Sequence, residues 1–226
     1  MLLAEDLLLL LTDDHTGKVA TDGTKLSLAL AGAVVLELAT AGRVDVSGPG
    51  EEVRAGRLVV RDATPTGDPV LDQSLGHLAA RRPGRPQDVL GGLGKGLRAT
   101  LLDRLVARGI LRAEEGRVLG IFPTRSWPAA DSAHEESLRR ALHDVLVLGR
   151  TPSPREGALI SLLHAVDQVP KLVGGPGTDR RQLRRRAKEI AEGEFAGTAV
   201  RKAVEAVNAA TIAAITATTV ATAGSS

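Results

Sequence analysis

The stretch Leu26–Thr40 contains a single charged residue, Glu37, in fifteen positions of mostly Leu, Ala and Val. A helix that is apolar on every side has no face to offer water, so it must be surrounded by protein. The rest of the chain then has to supply its neighbours. Leu2–Leu11 predicts a short buried helix, followed by an Asp13-Asp14-His15-Thr16-Gly17 turn. Gly42 ends the apolar helix, and Val44–Val46 and Leu58–Arg61 are short β candidates. Val70–Ala80 predicts a helix entered through Asp68 as cap with Pro69 in its first position. A proline- and arginine-rich loop, Arg81–Pro86, leads into Val89–Arg108, which is glycine-dense in its first half and amphipathic in its second. Ile110–Leu111, a Glu114-Glu115-Gly116 turn and Val118–Phe122 predict a β-hairpin. Helices are expected over Ser132–Leu148, Pro154–Asp167, Thr178–Ala191 and about Thr198–Thr219. No internal repeat is visible. The expected architecture is one mainly α domain over residues 1–226, with a central helical bundle and small β-hairpins.

Composition removes several functions. The 226 residues include no cysteine, which excludes disulfides, thiolate zinc sites, iron–sulfur ligation and cysteine nucleophiles. Phe122, Trp127 and Phe195 are the only aromatics, too few for base-stacking recognition of single strands. A formal charge of +2 tolerates an anionic partner without demanding one. Glu5 and Asp6 stand where a signal peptide would carry positive charge, so the expected compartment is the cytosol. The uncharged stretch Ala206–Ser226 has only Val207, Ile212, Ile215 and Val220 as large apolar residues, and reads as a buried helix rather than a membrane span.

Catalytic patterns are thin. None of the five histidines pairs at metal-ligand spacing on one helix, and neither His143–Asp144 nor His164–Asp167 exceeds what ordinary helix neighbours give. No nucleophile elbow is present. Gly94-Lys95 is followed by Gly96 rather than Ser or Thr, and Val89 stands where a phosphate loop needs glycine. These residues imply no catalytic group, no metal and no cofactor.

Basic residues are more suggestive. Lys95 and Arg98, three apart, share a face if the helix has begun, and the glycines beside them admit an anionic headgroup. A solvated helix face gives the same pattern, with Arg104 and Arg108 continuing it. Ile121, Phe122, Arg125 and Trp127 place rare aromatics beside arginine, the composition of an interfacial membrane anchor or of a core cap. Arg180, Arg181, Arg184, Arg185, Arg186 and Lys188 form the densest cationic run, either a phosphate-binding stripe or a solvated face. Leu97–Arg108, Gly109 and the hairpin also have the local order of a winged helix. Leu97, Leu101, Leu102, Leu105 and Val106, however, favour burial of that helix over groove reading, so nucleic acid is not the favoured partner; a soluble protein-interaction scaffold without lipid contact is the other alternative.

Several segments together resemble the Golgi phosphoprotein 3-like family. They are Leu7–Asp14 with Gly17-Lys18, Leu36-Glu37-Leu38-Ala39 leading to Gly42-Arg43, and Pro65-Thr66-Gly67-Asp68 with Leu71-Asp72. Leu105-Val106 with Arg108-Gly109-Ile110-Leu111, Leu159-Ile160 with Leu163-His164-Ala165 and Asp167, and the alanine-rich last helix continue the match in order. The resemblance implies a mainly helical, non-catalytic adaptor that sits peripherally on the cytoplasmic face of a membrane. Its expected partners are anionic phospholipid, phosphatidylinositol 4-phosphate in the known eukaryotic members, and the cytosolic tails of membrane proteins.

The family's lipid pocket joins a tryptophan before the second helix, an arginine within it, and two arginines ahead of the hairpin. Aligned without gaps, the paired positions fall on Lys95 and Arg98, the tryptophan on Asp22 and the helix arginine on Ala31. Two of the four contacts are thus absent. The expected headgroup set is Lys95, Arg98, Arg104 and Arg125, with Phe122, Trp127 and Ile121 meeting the membrane. The arginine-rich N-terminal tail through which family members take coatomer has no match in these 226 residues. The bias toward arginine, alanine and glycine suggests a high-GC bacterial source, for which a Golgi setting would not carry over.

Overall fold

The computed structural model describes residues 1–118, 122–175, 177–192 and 198–223, with backbone alone at 116–118, 122–124, 198–202 and 218–223. Its elements are α1 (Leu3–Leu10), α2 (Gly23–Thr40), β1 (Val44–Val46), β2 (Leu58–Val60), α3 (Pro69–Ala79), α4 (Pro86–Leu93), α5 (Leu97–Ala107), β3 (Glu114–Val118), β4 (Phe122–Ser126), α6 (Ala133–Leu146), α7 (Pro154–Ala165), α8 (Val169–Leu172), α9 (Arg180–Ala191) and α10 (Thr198–Ala223). The fold is mainly helical, with two small antiparallel two-stranded sheets, as the sequence predicts.

Helix α2 is the axis. The Asp22 carboxylate opens it by accepting from the Thr24 and Lys25 N–H groups at 2.8 and 3.3 Å. Gly42, at φ +70°, closes it: its N–H reaches the Ala39 carbonyl and the Arg43 N–H the Leu38 carbonyl, a Schellman ending. By length and composition alone α2 is long and apolar enough to cross a membrane. Here α1, α4, α5, α7 and α10 pack around it instead. Gly32 marks the tightest approach, since a Cβ there would lie 2.9 Å from Val207 of α10 and 3.1 Å from Leu162 of α7. Helix α10 buries Ala203, Val204, Val207 and Ala210 in the same core and leaves Ile212 exposed.

Helix α1 carries two carboxylates into this apolar interior. Glu5 is 0% and Asp6 1% exposed. A buried charge persists only when paired and hydrogen-bonded. Glu5 accepts from the Leu2 N–H at 2.8 Å, from Arg104 Nε at 2.8 Å and from Arg108 Nη1 at 3.0 Å. Arg104 also forks onto Asp68, the α3 cap, at 2.9 and 2.7 Å. Asp6 meets His134 Nε2 of α6 at 2.8 Å and Arg155 Nη2 of α7 at 2.7 Å. Glu37, the lone charge of α2, accepts from the Leu3 N–H and from Arg155 at 3.3 Å. One charged network therefore ties α1 to α2, α3, α5, α6 and α7.

The expected hairpin register is corrected. β3 pairs with β4 from Glu114↔Ser126 to Val118↔Phe122, so Glu114, Glu115 and Gly116 are strand, not turn. Ile110 and Leu111 are used elsewhere. The Ile110 N–H closes α5 on the Leu105 carbonyl behind Gly109 at φ +72°, and Leu111 bridges Ala129. Glu and Gly tolerate a strand here because the ribbon is solvent-exposed at Glu114 and Glu115 and buries no apolar face there.

The network predicts unequal costs for two arginines. Arg104→Ala should destabilise the protein by roughly 3 kcal/mol, because Glu5 and Asp68 lose a shared partner. Arg125→Ala, from an exposed cross-strand pair with Glu115, should cost about 0.5 kcal/mol or less. Urea denaturation measures both; equal costs would contradict the network's role.

Candidate functional site

The α4–α5 joint is shaped by close backbone approach. The Gly94 carbonyl accepts from Ser27 Oγ at 2.9 Å, and a Cβ at Gly94 would collide with Ser27 of α2. Gly96, at φ +78°, precedes α5 and has no side chain to cap it. Lys95 therefore lies before the helix and Arg98 in its first turn, so the two do not share a helical face. Lys95 is exposed and borders a crevice of about 250 Å³ lined by Gln73, Ser74 and His77 of α3 and by Thr100. Arg98 does not line that crevice. Its guanidinium lies over Trp127, with Cζ 5.5 Å from the ring centroid. Such stacking contributes about 0.5–1 kcal/mol at a partly exposed position.

The remaining predicted site residues divide. Arg104 is committed to Glu5 and Asp68, both of which raise its pKa, with Asp68 the stronger influence. Its donors point into the fold, so its place in a headgroup set is withdrawn. Arg125 is exposed and faces Glu115 at 3.1 Å. Trp127 is half-buried against the core, with its backbone so close to Gly17 that no Cβ fits there. Ile121 and the Phe122 side chain lie outside the described residues. Asp22, as the α2 cap, has its pKa lowered by the Thr24 and Lys25 amides, and Ala31 is 0% exposed. Neither position can supply the aromatic or cationic contact that the resemblance implies.

On α9 the cationic run is mostly paired: Arg184 with Asp167, Arg185 and Arg186 with Glu189, and Lys188 with Glu192. This is a solvated, charge-balanced face. His143 Nδ1 lies 3.9 Å from the exposed Asp144, too far for a hydrogen bond. Burial lowers the His164 pKa, and Asp167 beside it is taken by Arg184. The groove-reading alternative fails on α5 itself, whose Arg104 and Arg108 both turn to Glu5.

One feature escaped sequence reasoning. Glu135, in the first turn of α6, is 4% exposed and faces Asp14. Burial, then a hydrogen bond with Asp14, raise its pKa to about 7 against the pull of Arg139. Asp14 belongs to the turn that ends at Gly17, and its carbonyl accepts from the Ala129 N–H at 2.9 Å. The pair thus braces the turn under Trp127. Its folded pKa lies above the ordinary 4.5, so this stabilisation is complete below that value and lost as pH rises through about 7. Glu135→Gln should flatten the fall in stability between those two pH values. Thermal unfolding across that range tests it, and an unchanged slope would contradict the assignment.

Comparison with known proteins agrees with this fold. Residues 3–207 match the family described as Golgi phosphoprotein 3 (GPP34). Vacuolar protein sorting-associated protein 74 of Eremothecium gossypii is 30% identical over 162 residues, which are 64% of this chain and 49% of that protein. The chain thus spans about half the length of this curated relative. With nearly all of its helical core inside the matched range, the chain belongs to the Golgi phosphoprotein 3 (GPP34) family.

Proposed function

We propose that this protein is a non-catalytic peripheral membrane adaptor that docks on anionic phospholipid from the cytoplasmic face. The observation that carries this reading is the Arg98–Trp127 stack at the base of the β3–β4 ribbon, with Lys95 three residues earlier in the chain, before an uncapped helix start. Neither Lys95 nor Arg98 is paired with a carboxylate among the described residues, whereas most other arginines of the fold are. An aromatic stacked on a cation that no carboxylate neutralises is the chemistry of a lipid interface, where the ring meets the headgroup boundary and the cation meets phosphate. Arg125 supplements this set, and Phe122 of β4 and Ile121 are the residues we assign to membrane contact.

The lipid preference follows from what is missing. Asp22 presents a negative charge held by backbone amides, and Ala31 is enclosed by the core. Each lost charge-assisted contact removes about 1.5–3 kcal/mol of headgroup selectivity. The reading is therefore charge-driven binding with little preference for phosphatidylinositol 4-phosphate over phosphatidylserine. Cytosolic tails of membrane proteins are the cargo class such an adaptor would hold.

Co-sedimentation with phosphatidylcholine vesicles, with and without phosphatidylserine or phosphatidylinositol 4-phosphate, tests this directly. Two cations at about 1 kcal/mol each predict roughly thirtyfold weaker binding to either anionic vesicle for Lys95→Ala/Arg98→Ala. Unchanged binding would remove both residues from the site. Retention on duplex DNA, with no vesicle binding, would replace the reading with nucleic-acid recognition.

A further inference from the structure

At the other end of α4 from Lys95, about 12 Å along the helix axis, three arginines meet that nothing in the family reading uses. Arg54 and Arg57 come from the β1–β2 connection and Arg85 from the residue before α4. They line a groove of about 450 Å³ whose far wall is Ala206, Ala209, Ala210 and Ala213 of α10. Among the described residues, no acidic side chain lines it. Among the described residues, none of the three guanidinium groups is in an ion pair or a side-chain hydrogen bond. Arg43, Arg61, Arg104, Arg108, Arg139, Arg150 and Arg155 all hold carboxylates, and Glu51 of the same connection is already engaged by Arg61.

We propose that this groove is a second anion site, which takes a phosphate- or diphosphate-bearing ligand whose carbon portion lies along the alanine wall. Three unpaired guanidinium groups around one cavity repel each other until an anion arrives, and their planar forks match phosphoryl oxygens bidentately. Arg85 does not cap α4 with its side chain, and the positive end of that helix adds to the same field. The cavity volume is in the range of small-ligand sites. The alanines of α10 leave room on one side and offer no hydrogen bonds, so that wall suits a carbon chain or ring rather than a second charged group. The phosphate can belong to a free metabolite or to a membrane lipid, and the chemistry of the groove is the same for both.

Isothermal titration of the full chain with inorganic pyrophosphate tests the site, alongside sedimentation with vesicles of phosphatidic acid in phosphatidylcholine. Arg57→Ala/Arg85→Ala, whose guanidinium groups hold no ion pair among the described residues, should weaken pyrophosphate binding by at least about tenfold. Arg140→Ala, at an exposed position of α6 that does not line the groove, should leave it unchanged. Vesicle binding that also falls in Arg57→Ala/Arg85→Ala assigns the phosphate to a lipid; a loss confined to pyrophosphate assigns it to a soluble ligand. The proposal is overturned if wild-type protein takes up neither probe. It is equally overturned if Arg57→Ala/Arg85→Ala takes up pyrophosphate as the wild type does.

Discussion

Two carboxylates on an eight-residue helix organise this molecule. Glu5 and Asp6 sit among the leucines of α1, where an unpaired charge would be prohibitive. Satisfying them draws Arg104 and Arg108 from α5, His134 from α6 and Arg155 from α7, and through Arg104 the cap of α3. The apolar core alone would accept many packings of α2 against its neighbours. The charged network accepts few, because its members come from helices far apart in sequence and must converge within hydrogen-bond distance. It fixes α5, and with it the start of α5 where Arg98 meets Trp127.

That arrangement separates two kinds of arginine. Those facing α1 are structural, and their charge is spent inside the fold. Those flanking α4, Arg98 beyond Gly94 and Arg85 before Pro86, hold no carboxylate among the described residues and have different surroundings. One end offers an aromatic ring and an exposed lysine; the other offers three guanidinium groups and an alanine wall. Cations without carboxylate partners at both ends of one short helix suit the proposed role against an anionic surface.

Much of the fold was legible because helix ends are written in local chemistry. Asp68-Pro69, Gly42 and Gly109 mark a start and two stops that the structure reproduces. The hairpin register was not legible. An exposed two-stranded ribbon has no buried face to fix its alternation, so Glu114-Glu115-Gly116 reads as a turn by composition. The four-residue α8 is too short to show periodicity. At the candidate site, Lys95 and Trp127 were visible by their rarity or glycine context. The role of Arg104 was hidden, since its partners lie 99 and 36 positions away. The grouping of Arg54, Arg57 and Arg85 was hidden for the same reason, as only tertiary structure brings the β1–β2 connection to the start of α4.

Trp127 is the chain's only tryptophan, so its emission reports the proposed membrane edge without a label. Titrating the protein with anionic vesicles should shift that emission to the blue and make it sensitive to brominated acyl chains, while neutral vesicles leave it unchanged. A spectrum that stays fixed while the protein sediments with anionic vesicles would place the contact on another face.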